Sequence, residues 1–394
     1  MGAVGVVAEY NPFHTGHLAH LRAIRAAIGA DVPVVAVLSG DFVQRGEAAC
    51  FSKFARAEAA VRCGVSLVLE LPLPWSLASA EGFARGGVGL LAAAGVVDCI
   101  SFGSESADLS GLLRCAESTE QPGYAAALRS ELAKGISFAA ARERAVAAAG
   151  GPDAARVLRG PNDLLGVEYI RAARALEYKG QFLPVKREGS PHDGSGAASD
   201  IRRRMAEGEE WLSLLPPAAA EVLTAEQAAG RGPVTEESLA LPVMSRLRML
   251  TEADFALLPD ASEGLDHRLF RAVQDALSPG EAASLAKSKR YALSRLRRMV
   301  MCAALGIRRG MADGVPPYLR VLAMDDTGKA LLGKMRRCAS LPVVTKPASV
   351  RRMDPRAAEI FELGSRAHDL YVLGYADPSA RRAGEDWRFS PHVL

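Results

Sequence analysis

The sequence predicts an α/β protein, a doubly wound parallel-sheet domain followed by a mostly helical one. Three observations predict it. Short, apolar, β-branched runs alternate with helical patterns through the first hundred residues. The runs end in short polar turns containing Gly or Pro. Beyond Ile201 the strand signals become sparse and long amphipathic patterns take over.

The elements follow in order. Ala3 to Ala8 is nearly all apolar, as expected of a strand buried on both faces of a parallel sheet, and Pro12 punctuates the turn after it. From Gly16 to Ala27, Leu18, Leu21, Ile24 and Ala27 recur at helical spacing. Val34 to Leu38 is a second strand, Lys53 to Cys63 a helix, Leu67 to Leu71 a third strand, Ala80 to Ala94 a helix, and Cys99 to Phe102 a fourth strand. Ala107 to Ala149 and Asn162 to Glu177 look helical, Phe182 to Lys186 is a short strand, and Gly189 to Ala198 is a loop by composition. Strand-then-helix order with short connections argues for right-handed crossovers. Pro216-Pro217 and Gly230-Arg231-Gly232-Pro233 interrupt the pattern, so the expected division is residues 1–210 and 211–394.

Composition narrows the function classes. Hydrophobic residues make up 49% and charged residues 24% of 394, the values of an ordinary globular protein, which excludes a disordered or fibrous chain. The net charge of +3 hides a split: residues 1–200 balance at −2 and residues 201–394 at +5. The six cysteines are scattered with no CxxC pair, which speaks against structural zinc and a disulfide framework. The apolar opening is too short and lacks the basic leader of a signal peptide, and Gly86 to Ile100 is too short to span a membrane. A cytoplasmic location is the expectation.

The most informative segment is Asn11-Pro12-Phe13-His14-Thr15-Gly16-His17, between the first strand and the first helix. An α/β sheet binds its ligand beyond the carboxyl ends of its strands. Gly16 allows close approach of a phosphate, and the helix start offers unpaired N–H groups and a positive dipole end. Two imidazoles three residues apart can each donate to phosphate oxygens. Phosphoryl and nucleotidyl transfer depend chiefly on positioning and charge stabilisation. Two histidines could also merely cap a helix, but the strand, turn and helix fall where the chemistry requires them.

Here the sequence resembles the HxGH nucleotidylyltransferases, and more narrowly the bacterial tRNA(Met) cytidine acetate ligases. The resemblance runs from Gly5 to His17 and through Leu38-Ser39-Gly40-Asp41-Phe42-Val43-Gln44-Arg45-Gly46-Glu47. It continues in Arg56-Ala57-Glu58, Glu70-Leu71-Pro72, Phe102-Gly103-Ser104-Glu105, Pro161-Asn162-Asp163 and Val185-Lys186-Arg187. In the second half Glu263 to Arg268, Lys289 to Leu296 and Tyr318 to Leu322 carry it. It implies a Rossmann-like HxGH nucleotidylyltransferase domain and a mostly α-helical, basic tRNA-binding domain.

The implied reaction joins acetate, through acetyl-adenylate, to N4 of the wobble cytidine of elongator tRNA(Met), with ATP as substrate, Mg²⁺ as cofactor, and AMP and pyrophosphate released. His14 and His17 would be catalytic, and no residue is assigned to a resident metal. By the resemblance ATP would be lined by Val7, Ala8, Glu9, Tyr10, Asn11, Pro12, Phe13, His14, Thr15, Gly16, His17, Leu18, Ala19 and His20. Gly103, Asn162, Arg187, Ser199 and Arg202 match further nucleotide positions. Three departures stand out: Asp41 where the family favours Asn, Ser52-Lys53 where it favours Asp-Lys, and Ala197 where it commonly has a hydroxyl. Asp41 adds a negative charge beside an anion site, which Mg²⁺ or Arg45 would have to offset.

Residues 287–298 carry six basic side chains and no acidic one, with Tyr291 among them. Lys334, Arg336 and Arg337 form a second cluster, Arg351 and Arg352 a third. Such clusters suit an RNA backbone, with Lys289, Arg290, Arg295 and Arg298 the expected contacts. Two other functions fit the residues: an HxGH adenylyltransferase acting on a small phosphorylated acceptor, and an RNA-binding relative without catalysis.

Overall fold

The computed structural model describes residues 2–187, 198–261, 264–288 and 291–394. Ten strands lie among them: β1 (Ala3–Ala8), β2 (Val34–Ser39), β3 (Phe42–Val43), β4 (Glu47–Ala48), β5 (Leu67–Leu71), β6 (Val97–Ser104), β7 (Gln181–Lys186), β8 (Leu319–Met324), β9 (Val343–Val344) and β10 (His392–Val393). The main sheet runs β10-β8-β5-β2-β1-β6-β7, with β9 beside β8, and β3 and β4 form a separate hairpin. From β5 to β7 every pairing is parallel, while β8 runs antiparallel to β5. The α/β class and parallel sheet expected from the sequence are present.

Strand chemistry explains the layers. Val35 and Val37 of β2 and Leu67, Leu69 and Leu71 of β5 enter one core, while Val34, Ala36, Leu38 and Val68 enter the opposite one. Alternation at period two thus divides each apolar run between two helical layers. α1 (Thr15–Ile28) and α2 (Lys53–Arg62) cover one face; α3 (Ala80–Ala93) and α4 (Pro161–Ala175) cover the other. β2 and β6 flank β1 on opposite sides, so the strand order reverses at β1. That reversal opens a crevice at the carboxyl ends of β1 and β6.

The second half is mostly helical, yet it also feeds the sheet. All six residues of β8 are buried. This strand is faint in the sequence because Arg320 interrupts its apolar run; inside the protein Arg320 Nη1 donates to Glu70 Oε2 of β5 at 2.7 Å. The sheet therefore draws strands from both sides of residue 210. Between them, α6 (Glu236–Arg248), α7 (Leu293–Leu305) and α8 (Pro355–Tyr371) help enclose a separate helical core around Leu247, Phe255, Leu269, Leu296 and Tyr371. Phe42 of the β3–β4 hairpin plugs into that core. No helix among the described residues is long and apolar enough to cross a membrane.

Candidate functional site at the ends of β1 and β6

After β1 the chain bends at Tyr10, whose φ of 42° lies in the left-handed region that side chains with a Cβ rarely occupy. Tyr10 and Phe13 are buried against each other, ring centroids 4.8 Å apart, and anchor the loop. His14 caps α1. Its Nδ1 accepts the Gly16 N–H at 3.1 Å, while His17 Nδ1 accepts the His14 N–H at 3.2 Å. This is a capping box in which both acceptors are imidazole nitrogens.

The caps fix the tautomers. A neutral ring that accepts at Nδ1 carries its proton on Nε2. Burial first, then Arg187 and Arg202, holds His14 at a pKa of about 4. His17 is held well below the usual imidazole value by burial, His14, Arg187 and His20. Both rings are neutral near pH 7, each with one Nε2–H to offer.

His20 sits differently. Ser101 Oγ donates to the Leu183 carbonyl at 2.9 Å, so it accepts from His20 Nε2, also at 2.9 Å. His20 thereby ties α1 to β6 and β7, and burial with Arg187 lowers its pKa to about 4.

Gly103, Asn162 and Arg187 come together. A Cβ on Gly103 would lie 3.2 Å from Arg187 Cγ, so the bare glycine lets the arginine stem cross β6. Arg187 Nη1 donates to Asn162 Oδ1 at 3.2 Å. Asn162 is not the helix cap. Glu105 takes that role, accepting the Asn162 N–H at 3.1 Å and the Asp163 N–H at 2.8 Å, while Asp163 returns the favour by accepting the Glu105 N–H at 3.1 Å. In sequence, Glu105 is only the last residue of Phe102-Gly103-Ser104-Glu105, with nothing beside it to mark a capping role.

Arg202, on α5 (Ala198–Glu207), donates to the Asn11 carbonyl at 2.8 Å. Asn11 Oδ1 accepts the Cys50 N–H at 2.8 Å, and its buried Nδ2 has no partner among the described residues. Ser199 lies on the same helix; Ala197 falls outside the described residues.

A family model described as HIGH Nucleotidyl Transferase matches residues 1–386. The tRNA(Met) cytidine acetate ligases of Acetivibrio thermocellus and Syntrophotalea carbinolica are 35% and 39% identical to this chain, covering 98% and 97% of it and the same shares of their own lengths. The chain belongs to the tRNA(Met) cytidine acetate ligase family. The crystal structure of Thermotoga maritima TmcAL bound with alpha-thio ATP superposes with a TM-score of 0.93 at 36% identity, each chain covered completely. The apo form of the same protein gives 0.94 at 34%.

Against the family pattern, the Asp41 departure is resolved in an unexpected way. Its charge is offset by buried partners other than Arg45. Asp41 Oδ1 accepts the Lys53 N–H at 2.8 Å, and Oδ2 lies 2.9 Å from His368 Nδ1 and 3.8 Å from Lys53 Nζ. Burial alone would raise its pKa, but His368, Lys53 and Arg56 outweigh that and lower it. Asp41 is thus part of a buried charge network with Lys53, Glu70, Arg320 and Asp386, and it faces away from solvent. Ser52, the other departure, caps α2 by accepting the Ala55 N–H at 3.2 Å.

Arg56 is a positioning residue that the sequence alone did not single out. Fully buried, it donates to the carbonyls of Phe51, Glu9, Ser39 and Gly40 and so clamps the chain where β1 and β2 end. Glu9 Oε1 accepts the Gln44 N–H at 2.9 Å, and burial raises its pKa.

The expected RNA contacts are spread over different environments. Lys289 and Arg290 lie outside the described residues. Arg295 Nη2 donates to the Asp260 carbonyl at 2.8 Å, and its guanidinium lies over the Tyr291 ring, 5.0 Å from the centroid. Arg298, like Arg295, is half-buried, and burial lowers its pKa. The physical reason is that α7 presses its backbone onto the β3–β4 hairpin. A Cβ at Gly46 would lie 2.4 Å from the Arg298 nitrogen. Lys334, Arg336, Arg337, Arg351 and Arg352 are exposed.

Proposed function

We propose that this chain acetylates N4 of the wobble cytidine of elongator tRNA(Met), using ATP and acetate through acetyl-adenylate. The observation that carries this is the pair of neutral, backbone-capped imidazoles at the end of β1, flanked by Arg187 and Arg202, in a chain whose relatives bear that activity as their name.

An acetate oxygen attacks the α-phosphorus, the bond to the β-phosphate bridge breaks, and pyrophosphate leaves. The Nε2–H groups of His14 and His17 donate to phosphate oxygens as charge builds there, needing no proton transfer. Arg187 supplies a fixed fork of donors for the polyphosphate, and Asn162 orients that fork. Arg202, Ser199 and the free amide of Asn11 close the other side. In the second step the cytidine N4 attacks the acetyl carbonyl, AMP leaves, and N4 gives up one proton.

Mg²⁺ would neutralise charge on the departing pyrophosphate. No group of three His, Cys, Asp or Glu side chains suited to a metal gathers among the described residues. Phosphate oxygens, water and one or two side-chain oxygens would hold it, the usual arrangement for this ion. Residues 1–210 would hold the nucleotide site, and 211–394 would supply the basic surface that receives tRNA, in the cytoplasm. Lys289, Arg290, Arg295 and Arg298 are its proposed contacts, together with the exposed clusters at Lys334 and Arg351.

Isotope exchange between ATP and pyrophosphate tests the first step. Exchange that requires acetate supports the proposal. Exchange driven by a phosphorylated acceptor in place of acetate would favour the adenylyltransferase alternative instead.

A further inference from the structure

A cavity of about 720 Å³ lies between the nucleotide site and the helical core, within the size range of small-molecule sites. Ser199 and Arg202, both assigned above to the nucleotide, form part of its wall, so the cavity adjoins the place where an acyl-adenylate would sit. The opposite wall comes from α6 and α7, through Val243 and Met301 among others. Two arginines at its margin, Arg45 and Arg203, are exposed.

The polar groups inside are arranged across the two halves of the protein. Glu47, on the β3–β4 hairpin, accepts from Arg297 Nη1 of α7 at 2.8 Å, and its other oxygen lies 3.7 Å from Arg202 Nη2 of α5. Glu236 is the other carboxylate of the lining, against four guanidiniums, those of Arg45, Arg202, Arg297 and Arg203, the last also paired with Asp200, Glu207 and Glu209. An apolar wall, an excess of guanidinium and a carboxylate within reach are together the chemistry of a nucleotide. The flat base packs on aliphatic surface, the phosphates meet arginine, and a carboxylate can accept from an exocyclic amine such as cytosine N4. A base read on its edges by protein must first be unpaired and turned out of its stack.

We propose that this cavity is the acceptor pocket, which takes one unpaired nucleotide of the RNA substrate and brings its exocyclic amine to the acyl-adenylate. Arg45 and Arg203 meet the flanking phosphates, and Val243 and Met301 carry the base. This assignment rests on the function proposed above.

Ala206, an exposed residue of α5, also lines the cavity. The Ala206→Trp variant fills it without disturbing a buried position, and Ala206→Ser controls for the site of substitution. The full-length protein is assayed for acetate-dependent ATP–pyrophosphate exchange and for acetyl transfer to tRNA(Met). The pocket predicts that Ala206→Trp loses transfer by about tenfold or more while exchange stays within about twofold of the parent, and that Ala206→Ser retains both. Unchanged transfer in Ala206→Trp would overturn the assignment, as would exchange and transfer falling together.

A second arm does not depend on catalysis. An anticodon stem-loop carrying 4-thiouridine at the wobble position is irradiated with the protein, and the adduct is mapped. Crosslinks to the hairpin around Glu47, to α5 or to the start of α6 support the pocket; crosslinks confined to other surfaces overturn it. Absence of acetate-dependent exchange in the parent protein would sink the proposed function alone, leaving this mapping to decide the pocket.

Discussion

His14 and His17 lie with ring centroids 3.8 Å apart, and each ring is held by a backbone N–H at Nδ1. The first turn of α1 thus turns two histidines into fixed Nε2–H donors, so the capping of the helix and the presentation of the donors are one arrangement.

Asparagine separates these two roles. The Oδ1 of His14→Asn can replace Nδ1 as the cap acceptor, but nothing replaces Nε2–H. The variant is expected to keep its thermal stability and lose acetate-dependent exchange by about 10²–10³-fold, the usual loss for one donor to a developing negative charge. Parent-like exchange would remove His14 from the catalytic step.

The lowered imidazole pKa values give a second prediction. With burial holding His14 and His20 at about 4, their ring resonances in the free protein should not titrate between pH 6 and 8. Triphosphate binding brings negative charge beside His14 and should move its titration upward. An NMR titration with and without ATP checks both, and a midpoint near 6.5 in the free protein would contradict the burial argument.

His368 predicts the opposite pH response, on stability. Burial opposes charge on its ring, yet Asp41, Glu385 and Asp386 push its pKa up to about 10. Both ring nitrogens lie 2.9 Å from carboxylates, those of Asp41 and Glu385. A pKa raised by folding means a contribution fully present below the unfolded value of about 6.5 and lost as pH climbs through 10. Thermal unfolding should therefore occur at progressively lower temperature between pH 7 and 10, with a flatter profile in His368→Gln. Asp41→Ala breaks the buried pair from the other side and should cost about 3–5 kcal/mol.

Gly46 is where the hairpin meets α7. Its φ of +78° and the 2.4 Å from an added Cβ to the Arg298 nitrogen leave an alanine no room. Gly46→Ala should destabilise the protein by at least about 1–3 kcal/mol, visible as a lowered denaturation midpoint.

Much of the fold was legible because continuous apolar, β-branched runs such as Val34–Ser39 state their own burial, and the HxGH motif was legible because strand, turn and helix are contiguous. β8 was hidden by Arg320, whose charge makes sense only beside Glu70 and Asp386. Likewise Arg56 resembles a surface arginine until four backbone carbonyls converge on it. The basic run at 287–298 states its charge but not its packing, which Gly46 and Glu47 decide from the other half of the chain. Asp41 looked like an uncompensated charge because its partner His368 is distant in sequence. Contacts of this kind belong to the assembled fold and leave no periodicity to read.

The most direct measurement supplies the protein with ATP, Mg²⁺, labelled acetate and elongator tRNA(Met), alongside a tRNA with uridine in place of the wobble cytidine. The proposed function predicts label on the cytidine-bearing tRNA alone, at N4, with ATP consumed to AMP and pyrophosphate. Equal labelling of both tRNAs, or no label on either while ATP–pyrophosphate exchange proceeds with another acid, would contradict it.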